Sequence, residues 1–151
     1  MNNEELIDST LKEIFKHIGI EPKVSVSVPE ENVYAIDVQG NNLNFLIGYK
    51  GESLNALQSI LGLIVLKKIG KSVIISLDIN NYKDKKLERL LEITKSFIDK
   101  VRFFEKEVPM PPMNPWERRQ VHMFVSEYND VASESTGEGP YRKVVLKPKK
   151  R

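Results

Sequence analysis

The chain has 151 residues, 40% hydrophobic and 29% charged, with no cysteine and a formal net charge of +2. That length fits one ordinary domain or two small ones, and the lack of cysteine excludes disulfides, thiol catalysis and cysteine-based zinc sites. No apolar run approaches the roughly 18 residues of a membrane span, and Met1-Asn2-Asn3-Glu4-Glu5 has no basic or apolar leader, so no membrane insertion and a cytoplasmic location are expected.

In chain order, Leu6, Ile7, Leu11, Ile14, Phe15 and Ile18 recur at helical spacing over residues 4–18, with Gly19 as the stop. Val24, Val26 and Val28 then alternate with polar residues, which predicts a strand with one buried face. The turn Pro29-Glu30-Glu31-Asn32 leads to a second strand over Val33 to Val38, and so short a connection favours an antiparallel pair. A short helix at 43–47, a glycine turn and a helix at 52–67 follow, the last carrying Leu54, Leu57, Ile60, Leu61, Ile64 and Val65. After Gly70 and Lys71 a third strand sets Val73, Ile75, Leu77 and Ile79 on one face. A three-stranded sheet with helices on one side buries these stripes together.

A long helix is predicted from Tyr82 to about Val108, ended by Pro109-Met110-Pro111-Pro112. Beyond it, Asn114-Pro115-Trp116-Glu117 reads as a capped helix start, with Asn114 as N-cap, Pro115 at the first position and Glu117 completing a capping box. Val131 to Ser135 and Arg142 to Leu146 are short strands. Charge divides unevenly: residues 1–108 hold 15 Lys and Arg against 16 Asp and Glu, residues 109–151 hold 8 against 5. Lys147, Lys149, Lys150 and Arg151 crowd the end, either a solubilising tail or an attraction for a polyanion.

The first chemical feature is Gly48-Tyr49-Lys50-Gly51. Two glycines three apart permit a tight turn and close approach to a ligand backbone, and the next helix aims its free N–H groups at that turn. By itself the tetrapeptide is equally a helix–helix turn with no ligand. With its flanks, Ile47-Gly48-Tyr49-Lys50-Gly51-Glu52-Ser53-Leu54, it resembles the GXXG loop of a KH domain, and the helix-strand-strand start resembles the type II topology. That resemblance implies that Gly48, Tyr49, Lys50 and Gly51 clamp the backbone of a single strand beside a groove that reads its bases.

The second is Arg118-Arg119-Gln120-Val121-His122, in which Arg118 and His122 share one helical face. Taken with Ser135-Thr136-Gly137-Glu138-Gly139-Pro140-Tyr141-Arg142-Lys143, it is similar to the R-x-x-x-H domain, a single-stranded nucleic-acid-binding module. This implies a second site from Arg118, Arg119, His122, Arg142 and Lys143. The combination, over roughly residues 4–148, resembles the Jag/KhpB family of bacterial RNA-binding proteins (SpoIIIJ-associated protein), without the separate N-terminal domain many members carry. Trp116 stands where a tyrosine is more usual.

The expected fold class is α+β: a type II KH-like three-stranded sheet packed by helices over 1–80, a connecting helix over 81–108, and a small α/β R-x-x-x-H domain with a basic tail over 109–151. The resemblance implies a binder of single-stranded RNA, with single-stranded DNA as a second candidate, no catalytic activity, no cofactor and no metal. It further implies a role in post-transcriptional regulation linked to cell elongation and division, often alongside a small single-KH protein. A protein-interaction module with a KH shape and a metal-dependent nuclease are the alternatives. His17 reads as a surface or half-buried structural residue. Trp116, Phe97, Phe103 and Phe104 are expected in the core, with base stacking as their other use.

Overall fold

A computed structural model describes residues 1–149, so Lys150 and Arg151 of the basic end lie outside the described residues. Its contacts divide into two compact units, Met1–Lys83 and Asp84–Arg151.

The first unit opens with α1 (Asn3–Ile18). Asn2 accepts from the Glu5 N–H while the Glu5 carboxylate accepts from the Asn2 N–H, a capping box that the apolar periodicity alone did not disclose. The helix buries Ile7, Leu11 and Phe15 and ends at Gly19, whose φ of 91° suits glycine. Strands β1 (Lys23–Glu30) and β2 (Val33–Gln39) pair antiparallel, with Val24 opposite Val38 and Val26 opposite Ile36. Beyond Ser27 the register shifts, and Val28 is exposed rather than buried as its spacing predicted. The irregular register ahead of the turn breaks the alternation there.

The chain then crosses over through α2 (Asn44–Ile47) and α3 (Glu52–Ile69) to β3 (Ile74–Ile79). A crossover of this length allows a parallel partner, and β3 pairs parallel to β2 with Ile36 opposite Leu77, giving the order β1-β2-β3. Tyr34, Ile36 and Val38 on β2 and Ile75, Leu77 and Ile79 on β3 bury the helix-facing side. On α3 the core takes Leu54, Leu61 and Val65, whereas Ile60, expected inside, is exposed with Leu63. The helix is apolar around most of its circumference, so its pattern did not define which face the sheet would cover. Gln58 on α3 accepts from the Leu77 N–H at 2.9 Å, on the outer edge of β3.

The second unit contains nearly all of α4 (Tyr82–Phe104), which contributes Leu90, Ile98 and Val101 to its core. The helix ends earlier than the expected Val108, at Phe104, where Glu105 adopts a left-handed φ of 54°. The proline-rich stretch does more than stop a helix. Val108–Pro109 forms a short strand, β4, against Leu146 and Val145, and Met110, almost fully buried, donates its N–H to the Val144 carbonyl at 2.9 Å. Next come α5 (Pro115–Val125), β5 (Val131–Thr136) and β6 (Lys143–Pro148), in an antiparallel sheet ordered β4-β6-β5. Val121 and Val125 of α5 join Val131, Val144 and Leu146 in the core. Arg102 near the end of α4 makes a two-pronged ion pair with Asp130, at 2.7 and 2.9 Å, and lies over the Tyr128 ring.

The aromatic residues expected in this core depart from it. Phe97 is partly buried, but Phe103 is 81% exposed, Phe104 58% and Trp116 44%. Phe103 falls on the side of α4 away from Ile98 and Val101, Phe104 lies on the border of the buried stripe, and the two rings meet edge to face. His17 is exposed.

Two glycines test how closely the first unit is packed around its glycine turn. Gly51 has φ of 82°, and a Cβ there would lie 2.9 Å from Tyr82 Cε1. Gly51→Ala is expected to destabilise this unit by about 1–3 kcal/mol. Gly62, inside α3, has open space around a Cβ. There Gly62→Ala is expected to stabilise by roughly 0.5–1 kcal/mol. Urea unfolding followed by the amide signals of α3 reads both, and the two changes should have opposite sign.

Candidate nucleic-acid interface

The glycine turn connects α2 to α3. Gly48 has φ of 71°, Lys50 of 52° and Gly51 of 82°, so three of the four loop residues have positive φ. A Cβ on Gly48 would collide with the Ser53 side chain. The loop is therefore pressed against the start of α3, and glycine is needed at both ends. Lys50 carries no such dispensation. Of the non-glycine residues with positive φ among those described, four are asparagines, which tolerate it; Lys50 and Glu105 are the others. Strain of this kind costs about 1–3 kcal/mol and tends to collect at ligand sites.

Tyr49 projects into solvent, 73% exposed, and the Lys50 ammonium lies 5.4 Å from its ring centroid. A flat aromatic face and a cation thus stand together at the tip. The helix behind them has Gly51 as its N-cap, which offers no side-chain acceptor; the Glu52 N–H turns back to the Tyr49 carbonyl, and the N–H groups after it point at the loop without a side-chain cap. The turn therefore offers a positive helix end, a cation and a stacking surface to one ligand.

In the second unit, the capping box at Asn114 and Glu117 fixes the start of α5. Arg118, one turn on, donates from Nη1 to the Met113 carbonyl at 2.7 Å, and the Met113 N–H donates to the Arg142 carbonyl at 3.1 Å. Arg142 in turn donates from Nη1 to the Gly137 carbonyl at 2.7 Å. A Cβ on Gly137 would meet the Tyr141 carbonyl oxygen at 3.1 Å, so glycine lets this loop fold back on itself. His122 lies one turn beyond Arg118. Its Nδ1 is 2.7 Å from Ser133 Oγ and its Nε2 is 2.7 Å from Ser135 Oγ. Burial, followed by the charges of Arg118 and Arg142, pushes its pKa below the usual histidine value.

Arg118, His122 and Arg142 thus form one cluster. Arg119 is exposed on a neighbouring sector of α5. Lys143 is placed differently. On β6, Val144 and Leu146 face the core and the helices, so Lys143 projects from the other side of the sheet, where Glu134 and Lys147 form an ion pair. Ser133 and Ser135 were not singled out from the sequence. The signal for them was the alternation that buries Val131, since residues 131, 133 and 135 share its face. Among the described residues, no group of three or more His, Asp or Glu side chains is placed to hold a metal ion, and no helix is long and apolar enough to cross a membrane.

Comparison with known proteins agrees with this division. Residues 4–77 match the family model for the KH domain of KhpA/KhpB, and residues 87–148 match that of the R-x-x-x-H domain. A protein of Clostridium symbiosum named RNA-binding protein KhpB is 30% identical over 141 residues, 93% of this chain and 64% of that protein. The KhpB protein of Bacillus subtilis is 29% identical over 135 residues, 87% of this chain and 65% of its own length. That of Lactiplantibacillus plantarum is 26% identical, covering 88% of this chain and 41% of its own. The chain therefore spans less than two thirds of the length of these curated relatives. With a KH domain followed by an R-x-x-x-H domain, and KhpB relatives aligned across most of its length, the chain belongs to the Jag/KhpB family.

Proposed function

We propose that the chain binds single-stranded RNA, without chemically altering it, through the Gly48–Gly51 loop and the Arg118/His122/Arg142 cluster. The observation that carries this reading is the left-handed backbone at Lys50, which holds a cation and an exposed tyrosine at the tip of a glycine-flanked turn. The names of the KhpB relatives support RNA as the polymer. In the loop, Lys50 meets phosphate, the N–H groups of the first turn of α3 beyond Glu52 donate to phosphate oxygens, and Tyr49 stacks on a base. In the second unit, Arg118 and Arg142 supply the positive field, while Arg119 and Lys143 add attraction from neighbouring surfaces. At the level of the whole protein we infer post-transcriptional regulation in the cytoplasm, linked to cell elongation and division, with a small single-KH protein as partner. Co-purification with RNA and protein after crosslinking in cells tests that role.

Replacing both Tyr49 and Lys50 by aspartate is expected to weaken RNA binding at least about tenfold, ~1.4 kcal/mol, by placing negative charge against phosphate. Unchanged affinity would mean that the loop is not the clamp, and would favour a protein-interaction module. Salt provides a second measure. Neutralising ~4–6 phosphates of a single strand gives a slope of log K against log salt of roughly −3 to −4. A flat dependence argues against both sites, and specific cleavage of labelled RNA in Mg²⁺ would establish a nuclease instead.

A further inference from the structure

Both ring nitrogens of His122 are engaged by serine hydroxyls. A neutral imidazole has one N–H and one bare nitrogen. One serine therefore accepts from the ring and keeps its own O–H free. The other spends its O–H on the bare nitrogen and retains lone pairs alone. Whichever nitrogen carries the proton, the pair keeps one donor and one acceptor not used by the ring. Burial and the two arginines both favour the neutral ring at pH 7. On a charged ring both nitrogens would donate, and both hydroxyls would keep their protons as donors.

Ser133 and Ser135 lie two apart on β5, an edge strand, so their side chains emerge about 6.8 Å apart on one face. Both are partly exposed. Phosphate oxygens only accept, so a phosphate satisfies the donor serine and leaves the acceptor serine unanswered. A ribose 2′-hydroxyl both donates and accepts, and it is the group that separates RNA from DNA. Arg118 and Arg142 beside His122 answer the phosphates that flank such a sugar.

We propose that Ser133 and Ser135, held by His122 as a donor–acceptor pair, bind ribose 2′-hydroxyls and give the second unit a preference for RNA over DNA. His122 is then a positioning residue, and the serine hydroxyls touch the ligand. The proposal rests on the reading above that the chain binds a single strand.

The test uses the full chain and one 12-nucleotide mixed-sequence strand prepared as RNA, as DNA and as 2′-O-methyl RNA, with affinities from fluorescence anisotropy. The 2′-O-methyl strand keeps the oxygen acceptor and loses the proton. Wild-type protein should bind RNA about 3- to 10-fold more tightly than either other strand, the worth of one net hydrogen bond. The double variant Ser133→Ala/Ser135→Ala should lower RNA affinity to the DNA level and change DNA affinity less than about twofold. Ser133→Thr/Ser135→Thr, which keeps both hydroxyls, should retain the preference. If the double alanine variant does not fold, Ser133→Ala and Ser135→Ala singly, each keeping one bond to the ring, read the same ratio, and at least one must reduce it. Equal binding of RNA and DNA by the wild type, or equal losses on both strands in the alanine variants, overturns the proposal and leaves strand binding intact. No binding to any strand would overturn the RNA-binding reading and this proposal together.

Discussion

Each unit depends on the same constraint: its three-stranded sheet has one apolar face, and helices must cover it. In the first, α1 and α3 pack against the side formed by Tyr34, Ile36, Val38, Ile75, Leu77 and Ile79. In the second, a helix as long as α4 is needed, because α5 alone offers only Val121 and Val125 as fully buried residues. Small domains bury a smaller fraction of their surface than large ones, so a helix that adds apolar area is drawn into the core. The groups we propose to face the ligand are then confined to what this packing leaves free. These are the turn where α2 meets α3, and the border where α5 meets the edge strand β5.

The two borders solve opposite problems. At the glycine turn the backbone itself is presented, so side chains must be kept out of the way: Gly48 clears Ser53 and Gly51 clears Tyr82. Lys50 takes the strained conformation between them, and the packing of its neighbours holds it there. At the second border side chains are presented, so they must be held in place. Arg118 and Arg142 each give one guanidinium donor to a backbone carbonyl, and His122 gives both ring nitrogens to serines. The first site gains precision from the absence of side-chain atoms, the second from their mutual hydrogen bonds.

Much of this was legible in the sequence because it rests on local rules. Valine alternation marked β1, glycines marked the helix ends, and Asn114 with Glu117 announced α5. What escaped was set by packing over distance. The two-residue β4 has no periodicity to detect, and its prolines read as a break although Val108 and Pro109 pair with β6. Ile60 sat on an apolar stripe too broad to orient α3. Phe103 looked like core by residue type alone, and Phe104 by its helical spacing from Phe97 and Val101. At the second site the helix motif identified Arg118 and His122, but the partners of His122 come from a strand reached through a turn and a register. Arg142 and Lys143 were adjacent in sequence and so were grouped, while the pleat of β6 sends Lys143 to the other side.

The contact between Gln58 and Leu77 has a consequence for how the first unit matures. An outer strand with a free N–H invites pairing with a strand of another molecule, and β3 is rich in isoleucine and leucine. Gln58 occupies the Leu77 donor from within α3, so this protection exists only once the helix has docked, whereas the Ile79 N–H is met by Asp78 of the strand itself. Before docking the Leu77 donor is open; afterwards it is taken. Where the sheet forms ahead of helix docking, that interval leaves the Leu77 donor open to the strand of another chain, and how briefly it lasts bears on how much of the protein reaches its native form.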